Sequence, residues 1–258
     1  MNPVWIAVWL GVGLFVGILI CIEIGRWAGR RQALGASGEP MGGISIVDAA
    51  IFGLLGLLIG FTFSGAATRL ETRRQLVAQE ANAIGTAYLR LDLLPPDHQP
   101  NLRRLFREYL DARLAMYENV WDMTTANAKR AEVIRLQGEI WSATETGARA
   151  VSPTPTAILL LPAINEMIDI TTTRTLAARS HVPAVIIVWL FALSLLSAVL
   201  VGYALSPSKT RSRLHVILYA AVVAVSIYVI LDLEYPRIGL IRLDAAAQVL
   251  HQLRDTLR

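Results

Sequence analysis

Four stretches of the chain contain no charged residue and are long enough to cross a bilayer. They are residues 1–22, 49–68, 180–208 and 214–231. A helix needs about 20 apolar residues to cross the hydrocarbon core of a membrane, and each stretch reaches or nearly reaches that length. The pattern therefore predicts four transmembrane helices.

The first apolar run, Val4–Ile24, resembles a secretory signal only in its position. It has no preceding basic region and is longer than the apolar core of a signal peptide. It is followed by Gly25-Arg26-Trp27-Ala28-Gly29-Arg30-Arg31 rather than by a small-residue cleavage site. We therefore expect a retained transmembrane helix.

The long segment between the second and third spans is richer in charge, and its apolar residues recur at helical spacing. On one helical face lie Leu70, Val77, Ile84, Tyr88 and Leu91. No glycine or proline interrupts the chain between Thr68 and Gly85. The second transmembrane helix is thus expected to continue out of the membrane and to end at Pro95-Pro96.

Four more helices are predicted outside the bilayer. The first starts near Pro100, since proline is favoured in a first helical turn, and the next two cover Ala126–Ala150 and Ile158–Arg179. The fourth is an amphipathic helix from about Leu243 to Leu257. No segment has the alternating pattern of a strand, so the fold class is all-α.

The expected organisation is a polytopic membrane protein with an extramembrane helical domain between its second and third transmembrane helices. Residues 1–68 hold transmembrane helices 1 and 2, and residues 69–179 form the helical domain. Residues 180–232 hold transmembrane helices 3 and 4, and residues 233–258 form the C-terminal amphipathic tail. Loops are expected at 32–43 and 206–213.

Composition supports a membrane protein and excludes several other classes. Of 258 residues, 54% are hydrophobic and 17% are charged, whereas about a quarter are charged in soluble domains. The single cysteine, Cys21, excludes an internal disulfide, a cysteine-based zinc site and a CxxC redox pair. The net charge of +4 is dispersed around the apolar stretches, which favours membrane anchoring and no nucleic-acid partner.

The side of the membrane on which each loop lies is not fixed by charge. Basic residues are almost equally numerous in the two short loops and close to the membrane on the opposite side. At the short-loop end, Glu23 and Asp48 are expected to pair with Arg26 or Arg30.

Two pairs of glycines have the GxxxG spacing that allows helices to pack closely in lipid. They are Gly13 with Gly17 and Gly56 with Gly60. We interpret both pairs as helix-packing positions.

One face of the second span has the character of a pore lining. Leu57, Phe61, Ser64 and Thr68 follow one another at steps of four, three and four residues and change from apolar to hydroxyl-bearing. An apolar constriction beside a polar vestibule gates ions in some channels by dewetting. The alternative is that Phe61 faces lipid or a neighbouring helix and that the hydroxyls bond their own backbone.

A cluster of charges is predicted where the second and fourth spans leave the membrane on the same side. Its members are Arg69, Arg73, Arg74, Glu80, Asp232 and Glu234. Charges at this depth are costly unless they are paired or face water. The cluster is therefore either a structural ionic collar or a vestibule that concentrates ions.

No catalytic motif is present in the sequence. Four scattered histidines, His98, His181, His215 and His251, belong to no metal-binding motif, and the chain has no phosphate-binding loop and no nucleophile elbow. We expect no metal, no cofactor and no enzymatic activity.

The residues at the exit of the second span resemble the bacterial bestrophin-like family, long described as a domain of unknown function. The matching stretches are 60–64 (GFTFS), 69–74 (RLETRR), 80–90 (EANAIGTAYLR) and 232–241 (DLEYPRIGLI). The order of elements is similar over nearly the whole chain. The family is in turn distantly similar to bestrophins, which are pentameric ion channels with four transmembrane helices per subunit and a neck on the second helix.

This resemblance implies a homo-oligomeric, pentameric ion channel of the bacterial inner membrane. The second helix would line the pore, and the helical domain would be cytoplasmic. The implied partners are the lipid bilayer, other copies of the chain and the permeant ions. The alternative from a different class is a non-conducting scaffold or sensor, whose helical domain binds a partner.

Overall fold

The computed structural model describes residues 3–33, 42–118, 123–150, 155–206, 213–235 and 244–257. These ranges are helical and contain no strand. The helices are α1 Pro3–Ala33, α2 Gly42–Leu89, α3 Gln99–Glu118, α4 Met123–Arg149, α5 Pro155–Arg179, α6 Ala184–Ala204, α7 Arg213–Glu234 and α8 Asp244–Thr256. Among the described residues, 4 helical segments are long and apolar enough to cross a membrane. The all-α, four-span prediction is confirmed.

Helix α2 runs without a break from Gly42 to Leu89, a length of 48 residues. As the absence of glycine and proline after Thr68 predicts, the helix continues beyond the last apolar residues of its span. A 3-10 turn, Arg90–Leu93, follows α2, and Leu94 is extended. This extended conformation is the one that a residue preceding a proline favours, so Pro95 sets the end of the helix.

The chain divides into two compact units. The membrane unit comprises the described parts of 1–70 and 181–241, and the helical unit comprises those of 71–180 and 242–258. The C-terminal helix α8 therefore belongs to the helical unit.

In the membrane unit, α1 packs against both α6 and α7. Leu14, Ile18 and Ile22 on α1 are buried, as are Leu190 and Leu193 on α6. Helix α2 contacts α7 through Phe52. Its ring packs edge-on against the ring of Tyr219, and the two ring centres are 6.5 Å apart.

The core of the helical unit lies between α2, α3, α4, α5 and α8. Its largest fully buried side chains are Ile84, Leu91, Leu102, Phe106, Tyr109, Leu110, Leu136, Ile140, Leu160 and Ile164. Helix α8 adds Leu250 and Leu257 to this core. Its position is also fixed by Arg254, which donates two hydrogen bonds to the Asp111 carboxylate at 2.5 and 3.0 Å.

Several predicted segments lie wholly or partly outside the described residues. They are the loops at 32–43 and 206–213, the break at 152–156 and residues 236–241 of the closing family motif.

Candidate functional site

The predicted pore face of α2 is exposed in the single subunit. Phe61 is 69% exposed and Leu57 is 54% exposed, and Ser64 and Thr68 are exposed as well. The opposite side of the same helix carries the buried residues, among them Leu55, Thr62 and Ala66. No part of the described chain therefore covers the face formed by Leu57, Phe61, Ser64 and Thr68.

Glycines widen this uncovered face. A methyl group placed on Gly53, Gly56 or Gly60 would meet no atom within 4 Å. The most apolar stretch of α2 is also the least buried of the four candidate spans. One side of α2 is therefore available for contact with lipid, with water or with another subunit.

Hydroxyl groups on α2 bond to the helix itself. Thr68 Oγ1 donates to the Ser64 carbonyl at 2.9 Å, and Thr62 Oγ1 reaches the Ile59 carbonyl at 3.2 Å. These backbone bonds are the ones that the lipid-facing alternative expects.

The predicted packing glycines have different environments. Gly17 packs near Leu195 of α6, since a methyl group there would lie 3.2 Å from the Leu195 side chain, whereas Gly13, Gly56 and Gly60 have open space in the subunit. A close helix crossing uses Gly25 of α1 and Gly202 of α6, which the sequence pattern did not predict. A methyl group on Gly25 would overlap the Val199 carbonyl oxygen, and one on Gly202 would overlap the Ile22 carbonyl oxygen.

Three of the predicted collar residues lie in the membrane unit. Glu234 is almost completely buried, and its Oε1 accepts a hydrogen bond from Arg69 Nε at 2.7 Å. Asp232, two residues earlier on α7, is also buried. The structure thus joins Arg69 of the second span to Glu234 of the fourth.

His181 adds a contact to this group that the sequence did not predict. Its Nδ1 lies 3.6 Å from Glu234 Oε2, and its ring stacks on Tyr235 with the ring centres 4.7 Å apart. Glu234 therefore lies between the Arg69 guanidinium and the His181 imidazole.

The other three predicted collar residues lie in the helical unit. Arg73 donates to the carbonyl oxygens of Ala177 and Ser180 at 3.1 and 2.7 Å. This is favourable because the last carbonyls of a helix such as α5 have no partner within the helix. Arg74 is exposed.

Glu80 is fully buried and lies between two arginines. Arg113 Nε of α3 donates to its Oε1 at 2.6 Å, and Arg174 of α5 contacts its Oε2. A buried carboxylate is tolerable only when it is paired in this way. The three side chains connect α2, α3 and α5.

The buried surroundings of Glu80 change the pKa values of two neighbouring groups, Arg113 and Tyr109. Burial disfavours the charge of Arg113, but the nearby Glu80 carboxylate outweighs this effect and raises the pKa of Arg113. Burial also raises the pKa of Tyr109 well above its usual value, although Arg113 acts to lower it. Both shifts favour the charged guanidinium of Arg113 and the neutral phenol of Tyr109.

At the opposite end of the membrane unit, Arg26 Nη1 pairs with Glu23 at 2.8 Å, as expected. Asp48 is buried and forms no ion pair within the described residues. Those residues also contain no group of three or more His, Cys, Asp or Glu side chains placed to hold a metal ion.

The fold and the uncovered face of α2 define a multi-span helical membrane protein with a helical domain outside its spans. The family model described as "Bestrophin-like domain" matches residues 40–248. The chain therefore belongs to the bestrophin-like family, as the residues around the α2 exit predict.

The fold is also similar to that of a solved protein. A crystal structure of a mutant bacterial bestrophin homologue from Klebsiella pneumoniae aligns with a TM-score of 0.64 at 15% sequence identity. The alignment covers 97% of this chain and 98% of that chain. At this identity the likeness demonstrates a shared fold. No curated protein matches the chain.

Proposed function

We propose that this protein assembles into an oligomeric ion channel of the bacterial inner membrane, with α2 of each subunit lining a central pore. The observation that carries the proposal is the exposed face formed by Leu57, Phe61, Ser64 and Thr68. Membership of the bestrophin-like family supports it, since bestrophins are ion channels.

A single subunit is a poor candidate for a pore. Helices α1 and α6 approach so closely at Gly25 and Gly202 that a methyl group would not fit between them, which leaves no space there for water. The polar and glycine-rich side of α2 lies on the outside of the subunit. Several subunits that place this side around a common axis would enclose a path that one subunit lacks.

The order of side chains along this face of α2 is compatible with an apolar gate beside a polar vestibule. Leu57 and Phe61 would form an apolar constriction, which blocks ions when it loses its water. Ser64 and Thr68 follow at one and two further turns and would face a hydrated vestibule. Arg74, which is exposed, lies further along α2 and would bias the local ion concentration.

The proposed subunit number and membrane orientation rest on the family resemblance alone. We propose a pentamer, with the helical unit on the cytoplasmic side, and with the bilayer, identical subunits and permeant ions as its partners. The proposal includes no nucleic-acid partner and no enzymatic step.

The test is ion flux through the purified protein in proteoliposomes, with cations and anions measured separately. Phe61→Ala should raise the flux or relax its selectivity, because it removes the largest side chain of the proposed constriction. Phe63→Ala is the matched control, since Phe63 is also exposed but lies about 160° around the helix from Phe61.

Two results would overturn the proposal, the first for the oligomeric channel and the second for the α2 face as its pore lining. One is a strictly monomeric particle both in mild detergent and in nanodiscs. The other is a parent protein that conducts while Phe61→Ala and Phe63→Ala have the same effect, since this would remove Phe61 from the pore.

A scaffold or sensor is the second candidate function. The observation that favours it is the set of large apolar side chains exposed on the helical unit, namely Leu89, Ile134, Ile158 and Leu159. Exposed apolar patches commonly mark protein interaction sites. Absence of flux under every gradient, voltage and calcium level tried, together with a defined partner bound to this unit, would favour the scaffold.

A further inference from the structure

The outer face of α1 carries a tryptophan at each end of a stripe that is apolar except for the exposed Glu23. Trp9 is 64% exposed and Trp27 is 56% exposed, with Val16 and Ile20 exposed between them. Eighteen residues are five helical turns, so the two indoles lie on the same side, about 27 Å apart along the axis. This matches the hydrocarbon thickness of about 30 Å, and tryptophan is enriched at both boundaries of that layer.

The stripe faces away from the rest of the membrane unit. Near its C-terminal end, α1 contacts α6 through Gly29, which lies against Ser206, and through Gln32, whose Oε1 accepts a hydrogen bond from the Tyr203 hydroxyl at 2.7 Å. At about 100° per residue, Gly29 and Gln32 lie at least about 140° around the helix from Trp27. Trp27 therefore projects into the surroundings of the subunit.

Two arginines follow Trp27 on this outer face. Arg30 and Arg31 are both exposed, and the Arg31 guanidinium lies 3.8 Å from the centre of the Trp27 ring. At 1.5 Å per residue they lie about 5 Å beyond Trp27, at the level where lipid phosphates begin. The ring holds the Arg31 guanidinium through a cation–π contact.

These two charges are not neutralised by the described part of the chain. Arg26, one turn earlier, is paired with Glu23, whereas neither Arg30 nor Arg31 forms an ion pair with any described carboxylate. Two guanidinium groups beside an interfacial indole therefore present a local excess of positive charge at headgroup depth.

We propose that Trp27, Arg30 and Arg31 form a binding site for the phosphate of an anionic phospholipid, in the leaflet at the C-terminal end of α1. Guanidinium groups bind phosphate oxygens in a forked geometry. The two charges, which no carboxylate among the described residues neutralises, favour an anionic lipid over a zwitterionic one. The site lies on α1 and does not depend on whether α2 conducts.

The first experiment measures lipid retention. The full-length protein is purified in detergent and titrated with phosphatidylglycerol or phosphatidylcholine, and native mass spectrometry counts the bound lipids. The parent should retain phosphatidylglycerol at a concentration about fivefold or more below that needed for phosphatidylcholine. The variant with Arg30→Gln and Arg31→Gln should lose this preference.

Two further variants distinguish lipid binding at this site from a general effect of the protein's positive charge. Arg31→Lys keeps the charge but loses the forked geometry, so it should fall between the parent and the double variant. The control combines Arg135→Gln with Arg149→Gln, which removes two exposed arginines of the helical unit and should retain the parent's preference. Equal loss of preference in the control and in the α1 double variant would overturn the proposal.

Thermal stability provides an independent measurement. Phosphatidylglycerol should raise the Tm of the parent more than that of the α1 double variant, and inorganic phosphate at the same concentration should not. A similar rise with inorganic phosphate would show a simple anion site and overturn the lipid assignment. A change in subunit number in the double variant would show that this face contacts another copy, and would overturn it too.

Discussion

Glycines occur on both α1 and α2, but those near the C-terminal end of α1 and those in the membrane span of α2 have opposite surroundings. Gly25 on α1 and Gly202 on α6 allow two backbones to touch, because a methyl group at either position would overlap a carbonyl oxygen of the other helix. Gly53, Gly56 and Gly60 on α2 have nothing within 4 Å. The same residue type therefore closes one region of the subunit and leaves another open.

This difference shows that GxxxG spacing identifies a helix face that another helix can approach closely. The spacing does not identify which helix that is. In lipid, small residues allow helices to gain van der Waals contact and interhelical hydrogen bonds. On α1 the partner is α6 of the same chain. On α2 the described chain supplies none, as expected of a face that meets other subunits or a pore.

The largest effect on stability should come from a substitution at the close contact between α1 and α6. Gly202→Ala places a methyl group on the Ile22 carbonyl oxygen and 2.7 Å from its carbon, so the helices must separate. We expect a loss of about 3 kcal/mol or more of unfolding free energy, because backbone atoms cannot relieve the overlap by changing rotamer. Equilibrium unfolding in mixed detergent micelles measures this loss, and an unchanged midpoint would contradict the close crossing.

A smaller effect is expected one turn further along α1. Gly29→Ala brings a methyl group against the side chain of Ser206, whose Cβ would be 2.6 Å away. Side chains yield more readily than backbone, so we expect about 1–2 kcal/mol of destabilisation. Adding Ser206→Gly should restore part of the loss in the same unfolding assay. No restoration would show that the Tyr203 carbonyl, at 3.1 Å, is the real obstacle.

The smallest effect on stability should come from the open glycines. Gly56→Ala and Gly60→Ala should keep the subunit's unfolding free energy or raise it by up to about 1 kcal/mol, because alanine is the better helix former. If α2 lines the pore, the same substitutions should reduce ion flux in proteoliposomes by narrowing the path. A large loss of subunit stability would contradict the open face.

The helices were predictable because each depends on local patterns. The apolar windows identify the four spans, and the absence of glycine and proline after Thr68 indicates that α2 leaves the membrane as one helix. Helices α4 and α5 each begin three residues before the predicted start, at Met123 and Pro155, since the ends of helices depend on weak local signals.

The charged contacts were only partly predictable. The pairing of Arg69 with Glu234 could be anticipated because both lie where a span leaves the membrane on the same side. The partners of Glu80 could not, since Arg113 and Arg174 are distant in sequence and meet Glu80 only when α3 and α5 pack on α2. Gly25 and Gly29 have the GxxxG spacing that could have predicted the α1–α6 crossing. The neighbouring arginines made this part of α1 look unlike a packing face.

The place of α8 has a consequence for biosynthesis. The core of the helical unit includes Leu250 and Leu257, whereas most of that core comes from α2 to α5. Two membrane spans, α6 and α7, are translated between these two contributions. The helical unit therefore cannot complete its core until both of these spans have been translated and residue 257 has left the ribosome, so the folding of this unit cannot finish before α6 and α7 have been synthesised.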